Sequence, residues 1–138
     1  MTAANSALIR RWFEEVWNQG RVETIDELLA SDCIAHGLSD DPANPLRGPA
    51  AFREFHAAFR SAFPDIVVVV EDTVSEGDMV AARCSVRGNH TGQLRDLAAT
   101  QAPMEITGMV IARIANGQFV EVWNNFDFMT MYKQLGAI

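Results

Sequence analysis

The stretch FVEVWNNFDFMTMYKQLG, residues 119–136, decides how we interpret the whole chain. Its first half is typical of a strand and its second half, from Phe128 to Leu135, of a short helix. Strand side chains alternate between two faces. One face would carry Glu121, Trp123, Asn125 and Asp127, and the other would carry Val120, Val122, Asn124 and Phe126. The second face is apolar except for its one amide.

Asp127 is the carboxylate on the first of these two faces, and it has two interpretations. If that face lines an aromatic cavity, desolvation raises the pKa of the carboxyl group towards neutral pH, which suits a proton shuttle. On the same face, Asn125 could supply a second donor, and Trp123 could stack on a planar ligand or donate through its indole nitrogen. Alternatively, Asp127 caps the C-terminal helix. The residues leave both interpretations open.

Length and charge limit the classes of function. The 138 residues predict one domain, residues 1–138, large enough to enclose a pocket. A net charge of −7, from 18 acidic and 11 basic residues, makes nucleic acid and anionic membrane surfaces poor partners. Cys33 and Cys84 lack metal-ligand spacing and are expected to be buried free thiols. No apolar run approaches the roughly 20 residues of a membrane span, so we expect a cytoplasmic protein.

Three helices are predicted in the first half of the chain. Apolar periodicity indicates helices from Ala7 to Gln19, with Asn5 or Ser6 as the cap, and from Val22 to Ala30. A third helix is predicted to begin at Gly48-Pro49 and to end before Pro64. Its four rings at helical spacing should form one wall of the interior: Phe52, Phe55, Phe59 and Phe63. We expect Trp12, Phe59 and Phe63 to contact a bound substrate.

Strands follow in the second half, after a short strand at residues 32–37. Residues 38–48 lack periodicity and form a loop long enough to cover a site. Residues 66–73 and 79–88 predict a hairpin whose second strand has one polar face. After a loop at residues 89–103, a strand at 104–114 is joined by an Asn-Gly turn to the strand that begins at Phe119. Helices followed by antiparallel hairpins indicate an α+β fold.

Several short motifs occur together in an order that is similar to one family. They are IAHG at 34–37, RGP at 47–49, FPD at 63–65, EGDMV at 76–80, GNHTG at 88–92, ARI at 112–114 with NG at 116–117, EVW at 121–123 with Asp127, and QLG at 134–136. In these motifs the chain resembles the SnoaL-like polyketide cyclases. The resemblance implies a cone-shaped barrel, in which three N-terminal helices pack in a strongly curved, mainly antiparallel sheet around a deep apolar pocket. It also implies a homodimer formed through the sheet.

The function implied by the resemblance is a cofactor-independent and metal-independent intramolecular aldol cyclisation, or an isomerisation, of a small apolar carbonyl compound. Asp127 would act as general acid and base. The preceding strand, where the family has a second polar group, offers only Thr107 and Arg113, with Met109 between them as a substrate-contacting wall residue. The alternative function is a non-catalytic module of the same fold that binds a hydrophobic ligand or mediates dimerisation.

The three histidines are secondary candidates. His36 is predicted to contact the ligand because it precedes the loop at the pocket mouth. His90 is a second candidate contact, although it could instead fix its glycine-flanked turn. His56, within the Phe-rich helix, is expected to be structural or solvent-facing. Limonene epoxide hydrolases share the implied fold, but Ser85 stands where their first aspartate is expected.

Overall fold

Four α-helices and six strands are found in residues 2–138, the part of the chain that the computed structural model describes. The helices are α1 (Thr2–Trp12), α2 (Val22–Leu28), α3 (Gly48–Ala62) and α4 (Phe128–Gln134), and a π-helical segment, Phe13–Asn18, continues α1. The strands are β1 (Leu29–His36), β2 (Leu46–Arg47), β3 (Val67–Glu76), β4 (Met79–Asn89), β5 (Pro103–Ala115) and β6 (Gln118–Phe126). None of these helices is long and apolar enough to cross a membrane.

The six strands form one curved sheet in the order β2-β1-β6-β5-β4-β3. Only the β1–β6 pair is parallel, so the sheet is mainly antiparallel. Along β4, burial alternates as the sequence predicted, with Val80, Ala82, Cys84 and Val86 buried on the inner face. Helices α1 and α3 contact the sheet and share the core with this inner face. The predicted α+β fold class is confirmed.

Two tight turns fix the register of the hairpins. The Asn-Gly turn between β5 and β6 has positive φ at Asn116 (53°) and Gly117 (75°), as the predicted two-residue hairpin requires. The pairing of β5 with β6 then shifts, since Arg113 lies opposite Glu121 while Ile114 lies opposite Phe119. This bulge at Val120 interrupts the alternation, so that both Phe119 and Val122 face inward.

The helix and loop boundaries differ from the predictions in three places. Helix α1 begins before Asn5, which lies inside it and donates from Nδ2 to the Gly77 carbonyl at 3.2 Å instead of capping. Helix α2 ends at Leu28 because Leu29 already pairs with Phe119 in the sheet. The loop after residue 37 contains a short strand, β2, paired with β1.

The π-helical segment was not predicted, and side chains of α3 complete its C-terminal end. The carbonyl of Val16 accepts a hydrogen bond from Nε2 of His56 at 2.6 Å. The carbonyl of Trp17 accepts one from Nη1 of Arg60, also at 2.6 Å. These carbonyls would otherwise be unpaired at the helix end. His56 is buried and structural, which confirms one of the two roles expected for it.

Candidate functional site

An apolar cavity lies between the inner face of the sheet and helices α1 and α3. Its volume is about 80 Å³, several times the space that one water molecule needs. Aromatic side chains dominate the wall, and they are Trp12, Phe13, Trp17, Phe52, Phe55, Phe59, Phe119, Phe126 and Phe128. Asn124 is the one non-aromatic polar residue among the described lining residues. The site is therefore built to hold an apolar molecule.

Three helical residues were predicted to contact the substrate, and two of them line this cavity. They are Trp12 and Phe59, whose contact with a ligand stays a prediction. Phe63, the residue directly after α3, is fully buried, and its ring packs against that of Phe59 with 5.9 Å between centroids. It supports the wall from behind and is not part of the lining.

Strand β6 presents to the cavity the face opposite to the one that we considered for the site. Val122, Asn124 and Phe126 line the cavity. Trp123 and Asn125 lie opposite Ile111 and Met109 on the outer face of the sheet. The interpretation that the Asp127 face lines the cavity is therefore wrong. The physical reason is that burying the apolar face requires the desolvation of one amide only, whereas burying the other requires the desolvation of a carboxylate.

Asp127 is exposed at the junction between β6 and α4, where it caps the helix. Its carboxylate accepts hydrogen bonds from the backbone N–H of Thr130 at 3.1 Å and from the Thr130 hydroxyl at 2.7 Å. These two bonds hold the pKa of the carboxyl group below its ordinary value, the reverse of the predicted rise. The capping alternative is confirmed. Its neighbours Phe126 and Phe128 both line the cavity, whereas Asp127 itself borders a separate, shallow depression together with Ser85 and Thr107.

His36 lies on the outer face, in a group that we call the outer cluster: His36, Arg113, Glu121 and Trp123. The imidazole Nε2 lies 2.7 Å from Oε2 of Glu121, and the ring stacks on Trp123 with 5.6 Å between centroids. Arg113 donates to the same carboxylate at 3.2 Å and lies over the indole. The predicted site residues His36 and Trp123 are thus brought together, but away from the cavity.

Candidate residues on β4 and β5 also point outward. Met109 is 52% exposed on the outer face, so it is not the wall residue that we expected. On β4, Arg83 pairs with Asp72 at 2.5 Å, and Ser85 donates to Glu71 at 2.8 Å. In a limonene epoxide hydrolase the active-site pair would be expected on this strand. Here the side chains of Arg83 and Ser85 point away from the cavity.

His90 is fully buried in the loop between β4 and β5 and does not line the cavity. Its Nδ1 accepts a hydrogen bond from the backbone N–H of Thr100 at 3.1 Å, so the ring proton belongs on Nε2. The His90 backbone also bonds to Ala102 and Gln101 across the loop. These contacts agree with a role in fixing the turn.

The two cysteines are buried free thiols, as predicted. Burial raises the pKa of both Cys33 and Cys84 to about 11, so neither is a thiolate at neutral pH. Within residues 2–138, no group of three His, Cys, Asp or Glu side chains is placed to hold a metal ion.

Asn124 is the polar cavity residue that sequence reasoning missed. Its Nδ2 donates to the main-chain carbonyl of His36 at 3.0 Å. The close approach of the two strands depends on Gly37, since a Cβ there would lie 2.0 Å from the main-chain oxygen of Asn124. The available signal was an amide placed alone on the apolar face of a strand.

Comparisons with known proteins agree with this architecture. The family model described as SnoaL-like polyketide cyclase matches residues 7–135. The aklanonic acid methyl ester cyclase DauD of Streptomyces sp. (strain C5) is 28% identical over 131 residues, which are 94% of this chain and 80% of that protein.

Solved structures give the same result. IdmH of Streptomyces antibioticus, provisionally described as a polyketide cyclase, is 33% identical, with a TM-score of 0.82 over 96% of this chain and 98% of IdmH. A provisionally described SnoaL-like polyketide cyclase from Jannaschia sp. CCS1 has a TM-score of 0.86 at 21% identity, over 99% of this chain and 94% of its own, which shows the shared fold. With a family match over nearly all of its length, the chain belongs to the SnoaL-like polyketide cyclase family.

Proposed function

We propose that this protein binds a small apolar carbonyl compound in the cavity and catalyses its intramolecular aldol ring closure without a cofactor. The observation that carries the proposal is the cavity itself, whose wall is aromatic apart from aliphatic side chains and one amide. Such a wall favours a planar carbon skeleton through burial and aromatic contact. Membership in a family whose relatives include a named cyclase supports the reaction type.

Ring closure gains most from confinement. An open chain with several carbonyl groups adopts many conformations in water, and only a few bring the attacking carbon close to the carbonyl carbon. A closely fitting wall selects those conformations, and intramolecular orientation of this kind lowers activation barriers by up to about 7–11 kcal/mol. The aromatic side chains of α3, Phe52, Phe55 and Phe59, would hold one side of the skeleton and β6 the other.

Asp127, which stands between the cavity-lining residues Phe126 and Phe128, is the proposed proton shuttle. As base, its carboxylate takes a proton from the carbon next to a carbonyl. The resulting enolate carbon attacks a second carbonyl of the same molecule, and the carbon–carbon bond forms as the electron pair moves to the carbonyl oxygen. Asp127 then returns the proton to that oxygen, so no proton is gained or lost overall. General acid and base assistance of this kind contributes about 10²–10⁴ in rate.

The rotamer of Asp127 must change for this role. At present its carboxylate is committed to Thr130 and exposed to water, which makes it a weak base. A ligand that contacts the turned carboxylate would remove water from it and raise its pKa. The proposal therefore requires that the pKa of Asp127 rise when the cavity is filled.

The test compares Asp127→Asn with Asp65→Asn. Asp65 is the matched control because it is an exposed carboxylate whose pKa is also lowered by accepted hydrogen bonds, but it is not the residue that the family resemblance assigns to proton transfer. We would follow cyclisation of short linear polyketones by mass spectrometry and NMR, because a cavity of about 80 Å³ requires a small substrate. Asp127→Asn should lose at least about 10²-fold in rate while its affinity for the substrate is kept. A fully active Asp127→Asn would refute the shuttle.

A non-catalytic binding module is the second candidate, and one observation favours it. Among the described residues that line the cavity, none has a side chain that titrates near neutral pH. This alternative expects ligand binding without turnover, with affinities equal in wild type and Asp127→Asn. Binding measured by calorimetry alongside the cyclisation assay separates the two candidates.

A further inference from the structure

We infer that Asn124 is the polar contact that selects the ligand, and that it recognises a hydroxyl or enol O–H group on an otherwise apolar, ring-sized molecule. The inference rests on the proposed binding function of the cavity and adds a chemical requirement to it. It assigns a role to a residue on the face of β6 that the Asp127 mechanism does not use.

The cavity wall contains few polar side-chain atoms. Among the described lining residues these are the amide of Asn124 and the indole nitrogens of Trp12 and Trp17. An indole N–H donates and cannot accept, whereas an amide does both. The Asn124 oxygen, Oδ1, is therefore the one strong side-chain hydrogen-bond acceptor of the described wall, since the thioether of Met104 accepts only weakly.

The orientation of the Asn124 amide follows from its one hydrogen bond to the backbone. Nδ2 donates to the carbonyl of His36 at 3.0 Å. The flipped amide would place two acceptor oxygens against each other, so this contact determines the assignment of oxygen and nitrogen. Since the two ends of an amide diverge, Oδ1 is directed away from the His36 carbonyl. No side-chain hydrogen bond of residues 2–138 uses Oδ1 as its acceptor, and this oxygen is accessible and not fully buried.

The position of this acceptor is fixed by the sheet. Asn124 lies on β6 opposite Val110, in the middle of the sheet. The backbone of Gly37 is packed directly against the main-chain oxygen of Asn124. An acceptor fixed in this way loses little conformational entropy on binding, and discrimination by a prepositioned polar group is strong when the surrounding wall is apolar.

An acceptor in an apolar wall requires a ligand with a hydrogen-bond donor. A bound molecule without a donor leaves Oδ1 facing apolar carbon, which has a desolvation cost, whereas an O–H group satisfies it. Enolised polycarbonyl compounds and phenols carry such a group on a planar apolar skeleton. The cavity should thus prefer the enol or phenol form of a ligand over its ether or hydrocarbon analogue.

The test uses three para-substituted one-ring probes, of which p-cresol and p-xylene have nearly equal shape. p-Cresol carries the O–H donor, p-xylene has a methyl group in its place, and 4-methylanisole keeps the oxygen without the donor. Affinities are measured by calorimetry for wild type, for Asn124→Leu, and for Asn125→Leu, a matched control that makes the same substitution on the outer face of the same strand. The affinity ratio of p-cresol to p-xylene cancels changes in cavity shape.

We expect that ratio to fall by about 2- to 12-fold in Asn124→Leu, the range of one neutral hydrogen bond, and to stay unchanged in Asn125→Leu. 4-Methylanisole should follow p-xylene. If Asn124→Leu fails to fold, the side-chain ¹⁵N amide signal of Asn124 in wild type decides: p-cresol should shift it more than p-xylene does.

Three results overturn the inference. Equal ratios in wild type and Asn124→Leu, or equal shifts of the amide signal with both probes, would show that Asn124 does not select the ligand while the binding function stands. If 4-methylanisole follows p-cresol, the amide acts as a donor and not as the proposed acceptor. Failure of all three probes to bind wild type would refute the binding function together with the inference.

Discussion

Asp127 has the sequence position of a proton shuttle and the contacts of a helix cap. Its position after β6 is the one that the family resemblance assigns to the proton shuttle, yet its carboxylate is held by Thr130 as a helix cap. Since the pKa in the folded protein is lowered, the stability that these bonds provide is present above the unfolded-state pKa. It is lost as the pH falls through the lower, folded-state pKa.

Thr130→Val should raise the pKa of Asp127. The substitution removes the hydroxyl donor and leaves the backbone N–H, so one of the two bonds to the carboxylate is lost. Carbon-13 NMR of the carboxyl carbon measures the shift. Thr107→Val is the control, because Thr107 is near Asp127 but contacts it only through its main-chain carbonyl. A pKa that is the same in Thr130→Val and wild type would contradict the assigned cause.

Gly37→Ala should destabilise the protein strongly. Gly37 has φ of +86°, and a Cβ would lie 2.0 Å from the main-chain oxygen of Asn124. The backbone conformation alone costs about 1–3 kcal/mol for a non-glycine residue, and the clash adds to this. Urea denaturation measures the loss. Gly77→Ala is the control, since Gly77 has φ of +59° but no atom within 4 Å of the added Cβ. Equal losses in both variants would mean that the strand contact does not matter.

At the scale of elements, the π-helical segment and α3 depend on each other. The segment leaves carbonyls unpaired at its end, and His56 and Arg60 of α3 pair with them. This arrangement places Phe13 and Trp17 in the cavity wall beside the Phe-rich face of α3. Residues of two helices that are distant in sequence thereby form one aromatic surface.

The stability of wild type should fall with acid through His56. Burial lowers the pKa of His56, so the unfolded state takes up a proton first as the pH falls. Stability is therefore full above the ordinary histidine value of about 6.5 and declines between that pH and the lower folded-state pKa. Urea denaturation at pH 5 to 8 in wild type and His56→Gln measures this dependence. The variant should show a smaller decline over this range, and identical slopes would refute the assignment.

At the scale of the whole molecule, the outer face of the sheet combines apolar residues with the outer cluster. Ile111 is 43% exposed and lies beside Met109, the other large apolar residue of β5 on this face. The family resemblance implied a homodimer through the sheet, and this apolar strip is consistent with that proposal. The cavity opens on the other side of the sheet, so the two surfaces do not compete.

Ile111→Lys should convert the proposed dimer into a monomer. A charged side chain in the centre of an apolar interface must be desolvated without a partner. Analytical ultracentrifugation across a range of protein concentrations gives the mass. Val22→Lys is the control, because Val22 is similarly exposed, at 42%, but lies on α2 away from the outer face. A wild type that stays monomeric at high concentration would exclude the dimer.

Local patterns along the chain determined the elements and the fold class. Helical spacing placed Phe52 and Phe59 on one stripe of α3, period-two alternation separated Val80 from Arg83 on β4, and Asn116-Gly117 defined a hairpin. These features depend on residues close in sequence, whose geometry is set by backbone periodicity. The family resemblance then predicted a curved sheet that encloses a pocket.

Only the tertiary structure decided which face of β6 meets the helices, and therefore which residues form the site. The cavity contains Asn124 because the apolar face of β6 packs inward, which leaves Trp123 outside with His36. The state of Asp127 depends on the first turn of α4, and the π-helical segment depends on donors from α3. Burial and pairing of polar groups are properties of contacts between distant segments, so the sequence could name the candidates but not place them.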